Sequence, residues 1–303
     1  MIRKDFIVTS DFDGLNLQGT LFQPEGVPKG IVQLVHGMCE RKSRYEDLMV
    51  FFAKNGYVAA CHDQRGHGDS VKEEDDRGWF HDKHGKAIVD DCAKVTKYLK
   101  SEYPDLPVTL FGHSMGSMIV RCYIREYDKL IDKLIVCGSH SFNPLAGVAV
   151  LLARTIGFFK GERHRSQILS YLSTGKGAAE FKKLGKGSWL SRDESVAKEF
   201  YADPKCYFVF TCNGFENLFN LMKNTYDKKG YKVQNPDLPI HFVSGSDDPV
   251  LVNEKQWNAA VESMRKVGYK KVTGKLYQDM RHEIHNEIGK EEVYQDLLAF
   301  IEA

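Results

Sequence analysis

Along most of the chain, short apolar runs that stop at glycine or a charged turn alternate with amphipathic stretches of helical period. GIVQLVHG (30–37), YVAACHD (57–63), PVTLFGH (107–113) and IDKLIVCGS (131–139) are nearly continuous in apolar residues, the pattern of strands buried on both faces. Between them, residues 43–55 repeat at helical period and stop at Asn55-Gly56. Residues 84–102 carry Ile88, Cys92, Val95 and Leu99 on one stripe, and MGSMIVRCYIREY (115–127) reads as a third helix. FIVTS (6–10) and LNLQGTLFQP (15–24) precede this series as two antiparallel strands, with Asp13-Gly14 as turn chemistry. The alternation stops near residue 140. It resumes with the strand LPIHFVSGS (238–246), a helix near 253–266, the strand VTGKLYQ (272–278) and a last helix near 287–302. Eight strands separated by helices of this length predict an α/β fold, a mostly parallel sheet with helices on both faces. Residues 141–236 are helical, aromatic and basic, without a buried strand. They predict a helical insertion after the sixth strand, with 1–140 and 237–303 forming one core.

Composition narrows the class. With 303 residues, 42% hydrophobic and 27% charged, the chain suits a globular protein with a large core. A formal net charge of +1 gives no field to attract nucleic acid or an anionic membrane. Cys39, Cys61, Cys92, Cys122, Cys137, Cys206 and Cys212 are odd in number and have no CxxC spacing, which predicts reduced thiols and a cytoplasmic setting. The start, MIRKDFIVTSDFDG, lacks the apolar core of a signal peptide. PLAGVAVLLARTIGFF is too short for a membrane span and carries Arg154 in its middle.

The chemistry centres on LFGHSMGSMIV (110–120). A buried strand ends here and a helix starts at once, so the turn needs small residues around its apex. Gly112 and Gly116 supply them and Ser114 is the apex, above the C-terminal edge of the sheet and at a helix N-terminus that favours developing negative charge. A serine hydroxyl needs a base to take its proton and an acid to orient that base. In this architecture both follow later in the chain. HFVSGSDDPV offers Asp247 and Asp248 after one strand; KLYQDMRHEIHNE offers His282 and His285 after the last. The spacing in H-E-I-H is one residue short of the H-E-x-x-H zinc pattern, so no metal is expected.

VHGMCERKSRYEDL, DQRGHGDS, GHSMGS, GSDDPV and RHEIHNE together resemble the monoacylglycerol lipase and lysophospholipase group of α/β-hydrolases, and they occur in that family's order. The resemblance implies the α/β-hydrolase fold with a helical cap after strand 6. It also implies a serine hydrolase with catalytic Ser114, Asp248 and His282. Asp247 then falls to the loop, and His285 to the surface at the start of the last helix. The oxyanion hole would be the N–H groups of Met38 and Met115. Asp63, Arg65 and Ser70 would brace loops, and His67 would not be the base. No cofactor is implied. The expected partner is a small acyl ester, with the apolar cap touching a lipid surface. Arg154, Lys160, Arg163 and Arg165 suit either a phosphate head group or a solvated helix end. The same triad would also serve a thioesterase, an acyltransferase or a prolyl aminopeptidase, with Glu216 as a candidate amine-binding group. A non-catalytic ligand-binding relative is the reading from another class.

Overall fold

The computed structural model describes residues 1–175, 179 and 181–303. The insertion expected over 141–236 therefore includes residues 176–178 and 180, which lie outside the described residues. Eight strands form one sheet: β1 (Ile2–Thr9), β2 (Asn16–Gln23), β3 (Gly30–Val35), β4 (Tyr57–His62), β5 (Val108–His113), β6 (Lys133–Cys137), β7 (Ile240–Gly245) and β8 (Val272–Tyr277). Their order is β1-β2-β4-β3-β5-β6-β7-β8. The β1–β2 and β2–β4 pairs are antiparallel and the others parallel. The chain order reverses at β3, which lies between β4 and β5, and an open α/β sheet forms its crevice at such a reversal. Register then brings the site loops together. Val35 pairs with Gly112, so the loops leaving β3 and β5 are neighbours, and Gly245 pairs with Tyr277, so the same holds for β7 and β8.

The period-2 alternation of the strands divides the apolar side chains between two cores. Ile31, Val35, Leu110, Leu134 and Val136 face one cluster, with α2 (Ala87–Glu102), α3 (Met115–Tyr127) and α8 (Glu254–Val267). Val32, Leu34, Phe111, Ile135 and Cys137 face the other, with α1 (Glu46–Lys54) and α9 (Lys290–Glu302). The predicted stripe Ile88, Cys92, Val95 and Leu99 is fully buried in the first. Helix α2 begins later than the periodicity suggests, because the Asp82 carboxylate gathers the N–H groups of Lys83, His84, Lys86 and Ala87 into a turn ahead of it. Helix α9 is shortened likewise by Gly289, which sits at φ 86° just before it.

Between β6 and β7 lie α4 (Ala146–Lys160), α5 (Gln167–Ser170), α6 (Glu194–Ala202) and α7 (Cys212–Tyr226). Helix α7 is part of the main core: Phe215, Leu218, Phe219 and Leu221 are buried with α3. Its Asn213 and Asn217 amides both donate to Asp82 O, at 2.6 and 2.7 Å, and Asn220 donates to Lys83 O at 3.0 Å. Each such bond contributes about 1 kcal/mol and ties α7 to the loop that precedes α2. Helix α4 instead exposes Val148, Leu151, Phe158 and Phe159. No described helix is long and apolar enough to cross a membrane.

Candidate active site

Ser114 stands between β5 and α3 at φ 56°, ψ −116°. A non-glycine residue held there costs about 1–3 kcal/mol and persists only where its surroundings impose it. Its N–H donates to Cys137 O (3.0 Å), and its own carbonyl accepts from Ser117 N–H (2.9 Å) and Oγ (2.5 Å). The flanking glycines are explained by close approach. A Cβ on Gly116 would lie 2.0 Å from Val35 O, and one on Gly112 would lie 2.4 Å from Gly116 O. The first turn of α3 is thus pressed onto the end of β3. The serine is 9% exposed and lines a cavity.

Asp248 and His282 come together. His282 Nδ1 lies 2.9 Å from Asp248 Oδ2. That oxygen also accepts from Ser244 Oγ (3.0 Å), and Oδ1 accepts from Val250 N–H (2.9 Å) at the start of the short turn Pro249–Leu251. Burial pushes the Asp248 carboxyl up, but the neighbouring His282, the hydrogen bond from it and those from Val250 and Ser244 hold it below the usual carboxylate range. Asp247 is exposed and bonds Ser246 instead. Ser114 and His282 line the same cavity, with no hydrogen bond between their side chains. Met38 borders that cavity and Met115 a small space adjoining it at Ser114, and among the described residues neither backbone N–H has a partner.

Behind these residues is a buried polar network that the sequence did not disclose. Glu40 Oε2 accepts from Gly37 N–H (2.6 Å) and Tyr45 OH (2.8 Å) and lies 3.2 Å from His113 Nδ1. His113 Nε2 lies 3.1 Å from His282 O. One carboxylate therefore connects the loop after β3, the residue before Ser114 and the backbone of His282. Burial pushes the Glu40 carboxyl up, yet the His113 hydrogen bond and charge and the Arg44 charge keep it well below its ordinary value. Burial lowers His113, but Glu40 raises it above the usual imidazole range. Arg44 bridges Glu40 (3.2 Å) and Glu283 (2.5 Å). Glu40 and Arg44, four residues apart directly after a buried strand, were the available signal.

His285 is buried and not at the surface as expected. Its ring packs against Tyr45, with centroids 4.7 Å apart, and against His113 at the same distance. Among the described residues neither ring nitrogen has a partner, and burial keeps the imidazole well below its ordinary range. His113, Cys137 and His285, and likewise Glu40, Glu283 and His285, bring possible metal-ligating atoms within 4.8 Å of one another. Arg44 already provides a cation between the two carboxylates, and both His113 nitrogens are in hydrogen-bond contact.

The DQRGHGDS loop is bracing, as expected. Asp63 accepts from Lys42 and from Asp69 N–H, Arg65 donates to Asp91, Ser10 and Phe80 O, and Ser70 accepts from Gln18 N–H. His67 is buried among Phe80, Phe208 and Phe210. Three of the four cations at 154–165 are engaged: Arg154 with Glu216 (2.7 Å), Arg163 with Asp76 (2.8 Å), and Arg165 with the carbonyls of Arg77 and Val209.

Two spaces meet at Ser114. One, of about 240 Å³, extends past Gln167, Phe200, Tyr201 and Phe208. The other, of about 20 Å³, reaches Met115, Leu218, Met222 and Val250. Met38, Trp189 and His282 border both. A larger groove of about 490 Å³ beside Trp257 and Arg265 is open to solvent and contains none of these residues.

Sheet order, serine turn and acid–histidine pair define an α/β-hydrolase. A model of the family described as serine aminopeptidase, S33, matches residues 26–289, and the chain belongs to that family. It is similar to a monoacylglycerol lipase of Mycolicibacterium smegmatis, 23% identical over 95% of this chain and 93% of that protein. A monoglyceride lipase of Rattus norvegicus is 27% identical over 91% of this chain and 82% of its own length. Among solved structures, a thermostable carboxyl esterase of Bacillus coagulans in complex with glycerol superposes with a TM-score of 0.87 at 27% identity, covering 100% of this chain and 98% of that one. Family and relatives together make the chain a hydrolase.

Proposed function

We propose that the chain is a serine carboxylic-ester hydrolase acting on fatty acyl esters such as monoacylglycerols or lysophospholipids through an acyl-enzyme. The observation that carries this reading is His282, paired with Asp248 (2.9 Å), bordering the same cavity as a serine held at positive φ. Ser114 Oγ attacks the ester carbonyl while His282 Nε2 takes its proton. Asp248 keeps the other nitrogen protonated and stabilises the imidazolium. The N–H groups of Met38 and Met115 hold the oxyanion, where each such donor contributes about 3 kcal/mol to the transition state. The proton then passes from His282 to the departing alcohol. A water activated by His282 releases the fatty acid and restores the serine.

Residues 141–236 serve in this reading as a cap over the cavity. Phe158 and Phe159, 83% and 79% exposed on α4, let it touch the lipid surface from which the substrate comes. Of Arg154, Lys160, Arg163 and Arg165, the first, third and fourth are paired, so this cluster has little free charge to offer a phosphate, which favours a neutral glycerol head group. The aminopeptidase reading needs a carboxylate free for the substrate amine. Glu216 is taken by Arg154, and the cavity's own Glu40 and Glu283 share Arg44. A panel of monoacylglycerols, lysophosphatidylcholine, acyl thioesters, acyl acceptors and prolyl amides tests the assignment. Monoacylglycerols are expected to give the highest kcat/KM. Faster turnover of a prolyl amide or thioester would replace the reading with one of the others, and no turnover of any substrate would favour the non-catalytic relative.

A further inference from the structure

Part of the insertion is bonded to the loop that carries His282. His282 N–H donates to Trp189 O (3.3 Å) and Glu283 N–H to Leu190 O (2.7 Å). Arg281 Nη1 donates to the carbonyls of Ser188 (2.6 Å) and Ser191 (3.1 Å), and Ser191 Oγ donates to Asn286 O (3.3 Å). Arg192 completes the seam through its N–H and Nε, which reach the two oxygens of Glu287 at 2.8 and 3.2 Å, and through Nη2, which reaches Ile288 O at 3.0 Å. Glu287 is buried and also accepts from Arg281 N–H and Ile288 N–H. Residues 188–192 thus run beside 281–288, held by backbone bonds and an ion pair whose carboxylate is buried. Among the described residues, no hydrogen bond joins α4 to that loop.

Trp189 is the side chain this seam delivers to the site. Its ring packs on His282 with centroids 5.1 Å apart and a tilt of 33°. The bond to Asp248 fixes one nitrogen of the imidazole but leaves the ring free to swing about that point. Trp189 restricts the swing, together with His113, whose ring centroid is 4.7 Å away, and Gly138, where an added Cβ would come within 3.2 Å of His282 Cε1. The indole also borders both spaces that meet at Ser114.

We infer that residues 188–192 are a strap that holds the base, and that Trp189 is a positioning residue for His282 and the partition between the two arms of the substrate cavity. This rests on the ester-hydrolase reading above. Displacing a catalytic group by about 1 Å can cost on the order of 100-fold in rate, so the effect falls on kcat. Opening the partition changes which esters fit, so the preferred chain length moves as well.

The test compares Trp189→Leu and Trp189→Phe with the wild type on p-nitrophenyl esters of graded length, with Ser114→Ala in parallel. Trp189→Leu is expected to lower kcat on the butyrate ester by about 10- to 100-fold, with KM changed by less than about 3-fold, and to shift the chain-length optimum upward. Trp189→Phe, which keeps a ring, is expected to recover kcat to within about 3-fold of wild type. Should the leucine variant fail to melt cooperatively, Trp189→Met, more adaptable in a core, takes its place with the same expectation. Wild-type kcat and chain-length profile in the ring-less variant would overturn the inference while leaving the serine mechanism standing. Full activity in Ser114→Ala would overturn the mechanism itself, whatever Trp189 does.

Discussion

Lowering the pH from 7.0 to 5.5 at constant ionic strength isolates the buried histidines. Burial pushes His62 down to about 3 and His140 to about 4, the latter helped by the neighbouring His282. Both stay neutral in the fold at pH 5.5, whereas an unfolded histidine, titrating near 6.5, takes up a proton. The unfolded state therefore binds more protons, and stability falls as pH drops below 6.5. For one such group the loss is RT ln[(1 + 10^(6.5−5.5))/(1 + 10^(6.5−7.0))], about 1.3 kcal/mol, so the two together lose about 2.5 kcal/mol. His67 and His285, which burial also holds well below their ordinary range, add to the loss. His113, raised by Glu40, opposes it: its folded form gains protons more readily, but over this window the offset is at most about 0.8 kcal/mol. The carboxylates that favour the fold titrate lower and contribute little here. A net loss of about 2 kcal/mol or more is expected in urea titrations, or about 3 °C or more in Tm for a chain of this length. Equal stability at the two pH values would refute the picture of imidazoles kept neutral by burial.

Asp248→Asn keeps the shape of the site but removes the charge paired with His282. It is expected to lower kcat on a soluble short-chain ester by about 10³- to 10⁴-fold with little change in KM. In Gly37→Ala, the new Cβ would lie 2.5 Å from Glu40 Oε2 and 3.0 Å from Ser114 Cβ. The loop after β3, proposed to hold the oxyanion, must shift, and steady-state assays should show kcat/KM down by about 100-fold. The double change Phe158→Ser, Phe159→Ser removes the two most exposed rings of α4. Vesicle co-sedimentation should weaken about 10-fold or more, while turnover of a monomeric butyrate ester stays at the wild-type rate.

How far the sequence reached depends on the range of the interaction. Buried strands, the helix stripe of Ile88, Cys92, Val95 and Leu99, and the glycine–serine turn are governed by local period and by backbone conformation, and all were legible. So was the meeting of Asp248 with His282, because they follow the ends of β7 and β8, which are neighbours in the sheet. The polar partnerships were not legible. Nothing near His285 indicates that Tyr45 will cover it, and nothing in GSWLSRDE indicates that Arg281 and Glu287 will bind it. Arg154, Arg163 and Arg165 read as free cations because their partners, Glu216, Asp76 and the carbonyls of Arg77 and Val209, are remote in the chain or hidden in the backbone. Residues joined across the sheet by hydrogen bonds leave no periodic trace.

The central claim is that one serine, activated by the pair at its side, does the chemistry. Intact-mass spectrometry after incubation with an alkyl fluorophosphonate tests it directly. A single adduct that peptide mapping locates on Ser114, absent from Ser114→Ala and formed far more slowly in His282→Ala, is the predicted result. An adduct that persists in Ser114→Ala, or wild-type protein that never reacts, would contradict it.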